Sequence, residues 1–210
     1  MALHDMIKDT IAAHKRIIFN GNGYSDEWVA EAERRGLPNI KCMVDAVPAL
    51  VKPEAVEIFE KHGVYTKAEM ESRAEVMYET YSKTINIEAL TMIDMAKKQI
   101  VPATIKYQTS LAESVNAIKA ASSAVDTSVQ EALMADISTN LKDMYVALAH
   151  LEEVAGKAEA MEEGAEQGHY YHDVVFTAMD ELRKPADKLE MLVAKSAWPF
   201  PSYGDLIFEV

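Results

Sequence analysis

TSVQEALMADISTNLKDMYVALAHLEEVAGKAEA, residues 127–160, decides the fold. Val129, Leu133, Ile137, Leu141, Met144, Leu148, Leu151, Ala155 and Ala158 recur at intervals of three and four. That period stacks side chains on one face of an α-helix, whereas a strand would alternate every second residue. No proline interrupts the pattern for about nine turns. Thr127 followed by Gln130 predicts a capping box at its start. Ala147, Ala149, Ala155, Ala158 and Ala160 predict a seam that lets a neighbouring helix come close.

Upstream, Thr66 and Glu69 form a second capping-box pattern, and helical periodicity runs from there almost to residue 122. Ile93, Ala96, Ile100, Tyr107, Leu111, Val115 and Ile118 trace its stripe. Pro102 lies inside it, which predicts a kink or break near 98–102, because proline lacks the N–H and crowds the preceding turn. Downstream, a third helix is expected after EEGAEQGH, with the stripe Val175, Met179, Leu182, Ala186, Leu189 and Val193, bent at Pro185. Short turns between such helices force them antiparallel. The expected fold is therefore all-α: an elongated antiparallel bundle of three long helices over 66–196, kinked at Pro102 and Pro185. A helix of ~35 residues spans roughly 50 Å, a length that suits a strut or an assembly surface.

Residues 1–65 read as short helices and a junction loop. Leu3, Ile7 and Ile11 share a face over 1–16, and 16–19 suits a brief strand. Ser25 is an N-cap for a helix over about 26–35 that Gly36 stops, and Pro48 and Pro53 break up 39–65. In WPFPSYGD the prolines Pro199 and Pro201 end regular structure, and Gly204 permits a tight bend. Residues 197–210 form an aromatic tail whose Trp198, Phe200, Tyr203 and Phe208 are too apolar to lie free, so they are expected to dock on the bundle or a neighbouring subunit.

Composition narrows the function. The 210 residues carry 21 basic and 34 acidic side chains, a formal charge of −13, which repels phosphate backbones and argues against nucleic acid as a partner. Cys42 is the sole cysteine, so no internal disulfide forms and a reducing cytoplasm fits. No apolar run reaches the ~20 residues of a membrane span. Met1-Ala2 leading straight into an amphipathic helix has the look of a cut inside a longer protein.

Four motifs invite chemistry. NGNGYS, residues 20–25, offers two glycines before a helix, but a P-loop needs Gly-Lys-Ser/Thr there, and Asp26 and Glu27 would repel phosphate. A turn using positive φ at Asn or Gly explains it better. His169, His172 and Asp173 have metal-ligand spacing without a second motif to close the site. Glu88 and Asp94, six apart, fall on different sides of their helix. Arg34-Arg35 suits an anion, yet also suits the helix C-terminus where it sits.

Longer strings carry more. KRIIFNGNGYSDEWVAEAERRGLPN (15–39), KTINIEALTMIDMAKKQIVPA (83–103), LRKPADKLE (182–190) and WPFPSYGDLIF (198–208) closely resemble the C-terminal region of type III glutamine synthetases. The resemblance covers essentially the whole chain. It implies a large bacterial, cytoplasmic enzyme, roughly three times this length, that joins ammonia to glutamate through γ-glutamyl phosphate using ATP and divalent metal. It further implies a dodecamer of two stacked hexameric rings, with the metal, ATP and glutamate ligands in a catalytic domain that precedes this region. None of those motifs occurs here, so no catalytic, cofactor or metal residue is carried over. The expected role is structural: to pack on the catalytic domain of the same polypeptide and shape subunit contacts. The residues singled out for it are Asn20, Gly21, Gly23, Tyr24 and Trp28 at the joint, and Trp198, Phe200, Tyr203 and Phe208 in the tail. A regulatory module that binds a nitrogen-signalling partner through the acidic face of 127–166, and a stand-alone enzyme, are the alternatives.

Overall fold

The computed structural model describes residues 2–201 and 203–208, with Tyr203 described by its backbone alone. It is all helical, with no strand among the described residues. The chain forms two compact units, Met1–Ala46 and Val47–Val210.

The first unit holds α1 (Ala2–His14), a 3-10 turn (Lys15–Ile17) and α2 (Asp26–Arg34). The turn replaces the strand expected at 16–19. Its carbonyls are taken by a side chain instead of a partner strand: the Arg35 guanidinium donates to Arg16 O at 2.6 Å and to Ile18 O at 3.2 Å. α2 starts as expected, with Ser25 Oγ accepting from the Trp28 N–H at 3.3 Å. It ends at Gly36, whose φ of +75° lets the Leu37 N–H reach back to Ala32 O at 2.9 Å.

The second unit begins within α3 (Met43–Leu50), which runs through Pro48 where a break was expected. Pro48 lies near the end of this short helix, so its missing N–H removes a single bond. Pro53 opens α4 (Pro53–Lys61) at its first position, where the missing N–H costs nothing. The capping box at Thr66 forms fully: Glu69 N–H donates to Thr66 Oγ1, and Thr66 N–H donates to Glu69 Oε2 at 2.7 Å. It launches α5 (Lys67–Met95), which continues through a π-helical turn (Ala96–Ile100) into α6 (Val101–Ala121). In that turn the Val101 N–H bonds to Ala96 O, five residues back, immediately before Pro102 withdraws its own donor.

α7 (Ser128–Glu159) is the helix of the opening stretch. Ile137, Met144, Leu148, Leu151, Ala155 and Ala158 are buried, whereas Val129 is 76% exposed and Ala149 and Ala160 also face solvent, so the stripe and the seam are shorter than the spacing predicts. The capping box at Thr127 does not form. Asp126 accepts from the Ser128 N–H at 2.9 Å, and the Thr127 hydroxyl donates to Glu131 instead. The next helix starts earlier than expected, inside EEGAEQGH: α8 (Ala165–Tyr170) follows Gly164, whose φ is +139°. A second π-helical turn (Tyr171–Val175) joins it to α9 (Phe176–Leu192), in which Pro185 is buried. α7 packs most extensively on α9 and also meets α5 and α6. One core collects Ile85, Ala89 and Ile100 with Met144, Leu148 and Leu151 and with Val175, Leu182 and Leu189.

The tail is not irregular throughout: α10 (Tyr203–Phe208) is a short helix. Pro201 lies two residues ahead of it, and Asp205 in its first turn favours the positive end of the helix dipole.

Candidate functional site

Three places bring chemistry-bearing side chains together. The first is the NGNGYS joint. Phe19 stacks on Trp28 with ring centroids 4.1 Å apart, and the Arg35 guanidinium sits 5.7 Å from the Trp28 ring centre. Asn22 organises the turn, its side chain accepting from the Tyr24 N–H at 3.0 Å and its carbonyl accepting from Ser25. The glycines are not there for positive φ, contrary to expectation: among the described residues only Gly36, Gly63 and Gly164 have it. Gly21 is needed because a Cβ there would lie 2.4 Å from Phe19 Cζ. Nothing crowds Gly23. Asn20 is exposed and Tyr24 is 100% exposed.

The joint does not fit a nucleotide phosphate. Ser25 Oγ is already bonded to Trp28 N–H and Asn22 O, and two carboxylates occupy the helix's first turn. Nor do Arg34 and Arg35 form an open anion grip, since both donate to Glu31, at 2.6 Å. These hydrogen bonds, from Arg34 first and Arg35 second, hold the Glu31 carboxyl down at about 2, against 4.5. A depressed folded value means that the pairing is intact above about 4.5 and is lost as pH falls through about 2. We expect a carbon-detected NMR titration of Glu31 to show its midpoint near 2, and Arg34→Ala with Arg35→Ala to return it towards 4.5. A parent midpoint near 4.5 would show the cluster open in solution.

The second place is the tail. Trp198 and Phe200 meet edge to face at 6.3 Å, half-buried against the core, and with Leu182 and Ile100 they wall an apolar cleft of about 460 Å³. Phe208 is 81% exposed, as Leu206 and Ile207 largely are, so of the tail aromatics whose side chains are described Trp198 and Phe200 dock within the chain and Phe208 does not. The Tyr203 side chain lies outside what is described.

The third place escaped the sequence. Glu79, Ser82, Lys83 and Asn86 project from one face of α5 into a polar pocket of about 240 Å³. Its far wall is Glu159 at the end of α7, Glu163 in the following turn, Gln167 of α8 and Tyr171 of the π-helical turn. Lys83 is paired with Glu79. Gln167 donates to Ala158 O at 3.0 Å and so closes the end of α7. Burial, with the Glu159 charge second, pushes the Tyr171 hydroxyl above its ordinary value and keeps it protonated. Ser82 Oγ and Asn86 Oδ1 are buried and have no hydrogen-bond partner, each such group costing about 1–3 kcal/mol. The i, i+4 spacing of Ser82 and Asn86 was readable, but Glu159 and Glu163 join them only through tertiary packing.

His172 is tied to Asp173 at 2.7 Å, and Glu88 is exposed while Asp94 pairs with Lys98. Among the described residues no three His, Cys, Asp or Glu side chains converge as a divalent metal would require. No helix among them is long and apolar enough to cross a membrane.

A family model described as the glutamine synthetase C-terminal domain matches residues 2–119, more than half of the chain. The chain belongs to the glutamine synthetase C-terminal domain family. It is similar to a glutamine synthetase of Butyrivibrio fibrisolvens, 38% identical over 98% of the chain, and to one of Bacteroides fragilis, 30% identical over 99%. It is 29% identical over 99% of its length to a protein of Dictyostelium discoideum named type-3 glutamine synthetase. The chain spans 29% of the length of each of these relatives. The expected resemblance to the C-terminal region of glutamine synthetases is thereby shown, and one of the relatives that the chain matches over almost its whole length is named a type-3 enzyme.

Proposed function

We propose that this C-terminal domain is the assembly portion of a type III glutamine synthetase. It packs on the catalytic portion of the same polypeptide and shapes contacts between subunits of a homo-oligomer, which the family resemblance makes a cytoplasmic dodecamer of bacterial type. The whole enzyme would ligate ammonia to glutamate through γ-glutamyl phosphate, with ATP and divalent metal held in the catalytic portion. The domain itself would contribute no reacting group.

The observation that carries this proposal is the open apolar face of α1. Leu3, Met6, Ile7 and Ile11 are 47–66% exposed, and no residue of the helix is buried. A helix amphipathic by sequence yet uncovered in its own domain requires a partner surface. Its proposed partner is the larger part of the polypeptide that the relatives possess. Two further features support an assembly role. The helical runs α5–α6, α7 and α8–α9 suit an elongated three-helix strut, bent where Pro102 and Pro185 interrupt the hydrogen bonding. Phe208, Leu206 and Ile207 extend a second apolar surface beyond the core.

The test is to produce the chain apart from, and mixed with, the remaining portion of its enzyme. The chain alone is expected to show no γ-glutamyl transfer with manganese and ADP, and the mixture to co-elute in gel filtration as a large species. Independent elution of the two portions would overturn the assembly role, and turnover by the chain alone would overturn its non-catalytic character.

A further inference from the structure

The polar pocket beside α5 has the composition of a binding site for one class of ligand. Ser82 is only 4% exposed, lines the pocket and leaves its hydroxyl without a partner. One turn along the same face, Asn86 Oδ1 is in the same position. Buried polar atoms in folded proteins nearly always have partners, so two neighbouring orphans on residues that line one cavity point to a missing group. The charge around them specifies its sign. Glu79, Glu159 and Glu163 line the pocket against Lys83 alone. Lys83 is hydrogen-bonded to Glu79 and is also held by the charge of Glu163, which leaves three carboxylates around one ammonium. Glu159 also stands at the C-terminal end of α7, where the helix dipole is negative. Asn86 Oδ1 is an acceptor and the Ser82 hydroxyl can accept as well as donate, so in this negative field a cation that carries hydrogen-bond donors suits both. A bare metal ion is disfavoured, because no three ligating side chains converge among the described residues.

We propose that this pocket binds a small protonated amine, whose ammonium donates hydrogen bonds to Ser82 Oγ and Asn86 Oδ1 while Glu159 and Glu163 supply the countercharge. The cavity of about 240 Å³ readily admits an amine of a few heavy atoms. The π-helical turn that begins at Tyr171 forms the opposite wall, a local geometry that recurs where helices are adapted to ligands.

The experiment is an NMR titration of the whole 210-residue chain with n-propylammonium chloride, set beside n-propanol, which has the same shape without charge, and potassium chloride at matched ionic strength. Saturable shifts confined to the backbone amides around Ser82, Asn86, Gln167 and Tyr171 are expected with the amine alone. Glu159→Gln combined with Glu163→Gln should weaken binding at least about tenfold, the loss expected for charge-assisted hydrogen bonds. Both side chains are exposed, so the fold should survive; near-ultraviolet circular dichroism checks this. Asp143→Asn, also an exposed charge of α7 but distant from the pocket, should leave binding unchanged. Ser82→Ala, which alters no net charge, should also weaken it. Shifts that propanol or potassium reproduces, or undiminished binding by the Glu159/Glu163 variant, would show that the pocket holds water only.

Discussion

Leu148→Ala should lower the stability of the second unit by about 2–5 kcal/mol, the range for removing a large aliphatic side chain from a packed core. Leu148 is 1% exposed and lies in the middle of α7, between Met144 and Leu151, where α7 faces Leu182 and Leu189 of α9. Close packing leaves little room for collapse around the lost atoms, so both transfer energy and a cavity contribute. Val129→Ala is the matched control. It removes apolar atoms from the same helix at a position that is 76% exposed, and should change stability by less than about 0.5 kcal/mol. The chain has two tryptophans, Trp28 in the first unit and Trp198 in the second, so each unit can be followed separately. Denaturant unfolding followed by Trp198 fluorescence in a Trp28→Phe background reads the second unit alone, which avoids assuming that both units melt as one. Equal midpoints for Leu148→Ala and Val129→Ala would mean that the α7–α9 core is not the one described.

The same two residues show how far periodicity reaches. Spacing places Val129 and Leu148 on one stripe with equal force, because a three-four pattern records direction around a helix and not what stands opposite. At Val129 nothing covers the stripe. Local chemistry behaved similarly. Thr66-x-x-Glu69 formed its capping box, since both partners belong to one turn. Thr127 offered the same pattern with Gln130 but was outcompeted by Asp126 one residue earlier and by Glu131. The strand expected at 16–19 failed for a longer-range reason, as Arg35 reaches back 19 residues to satisfy Arg16 O. Gly21 illustrates a different limit: its role is to make room for the Phe19 ring, and clearance between side chains leaves no signature in a Gly-x-Gly string. The polar pocket was hidden for the same reason, because Ser82 and Asn86 on α5 are unremarkable until the end of α7 is laid beside them. The long strings at 15–39 and 83–103, by contrast, lie inside the stretch that the family model matches.

The proposed assembly role is tested most severely by Ile7→Glu together with Ile11→Glu. The two residues are one turn apart on α1, and both are about half exposed in the domain. Since no residue of α1 is buried, the pair of substitutions should leave the Trp198-reported unfolding of the second unit unchanged. In the complete enzyme the outcome should be the opposite. Each isoleucine side chain that becomes fully covered contributes about 1.5–3 kcal/mol to the contact, and an unpaired carboxylate placed there adds a desolvation cost of several kcal/mol. Two such changes exceed the margin of a subunit or domain contact in most assemblies, so the full-length variant is expected to elute as smaller species and to lose most of its ligase activity. Ile7→Ala with Ile11→Ala, which removes packing without burying charge, should fall between parent and glutamate variants. If the glutamate variant of the complete enzyme instead keeps both its elution volume and its activity, the apolar face of α1 is turned to solvent in the assembled protein, and the surface that joins this domain to the rest must be sought along the exposed Leu206, Ile207 and Phe208 of α10.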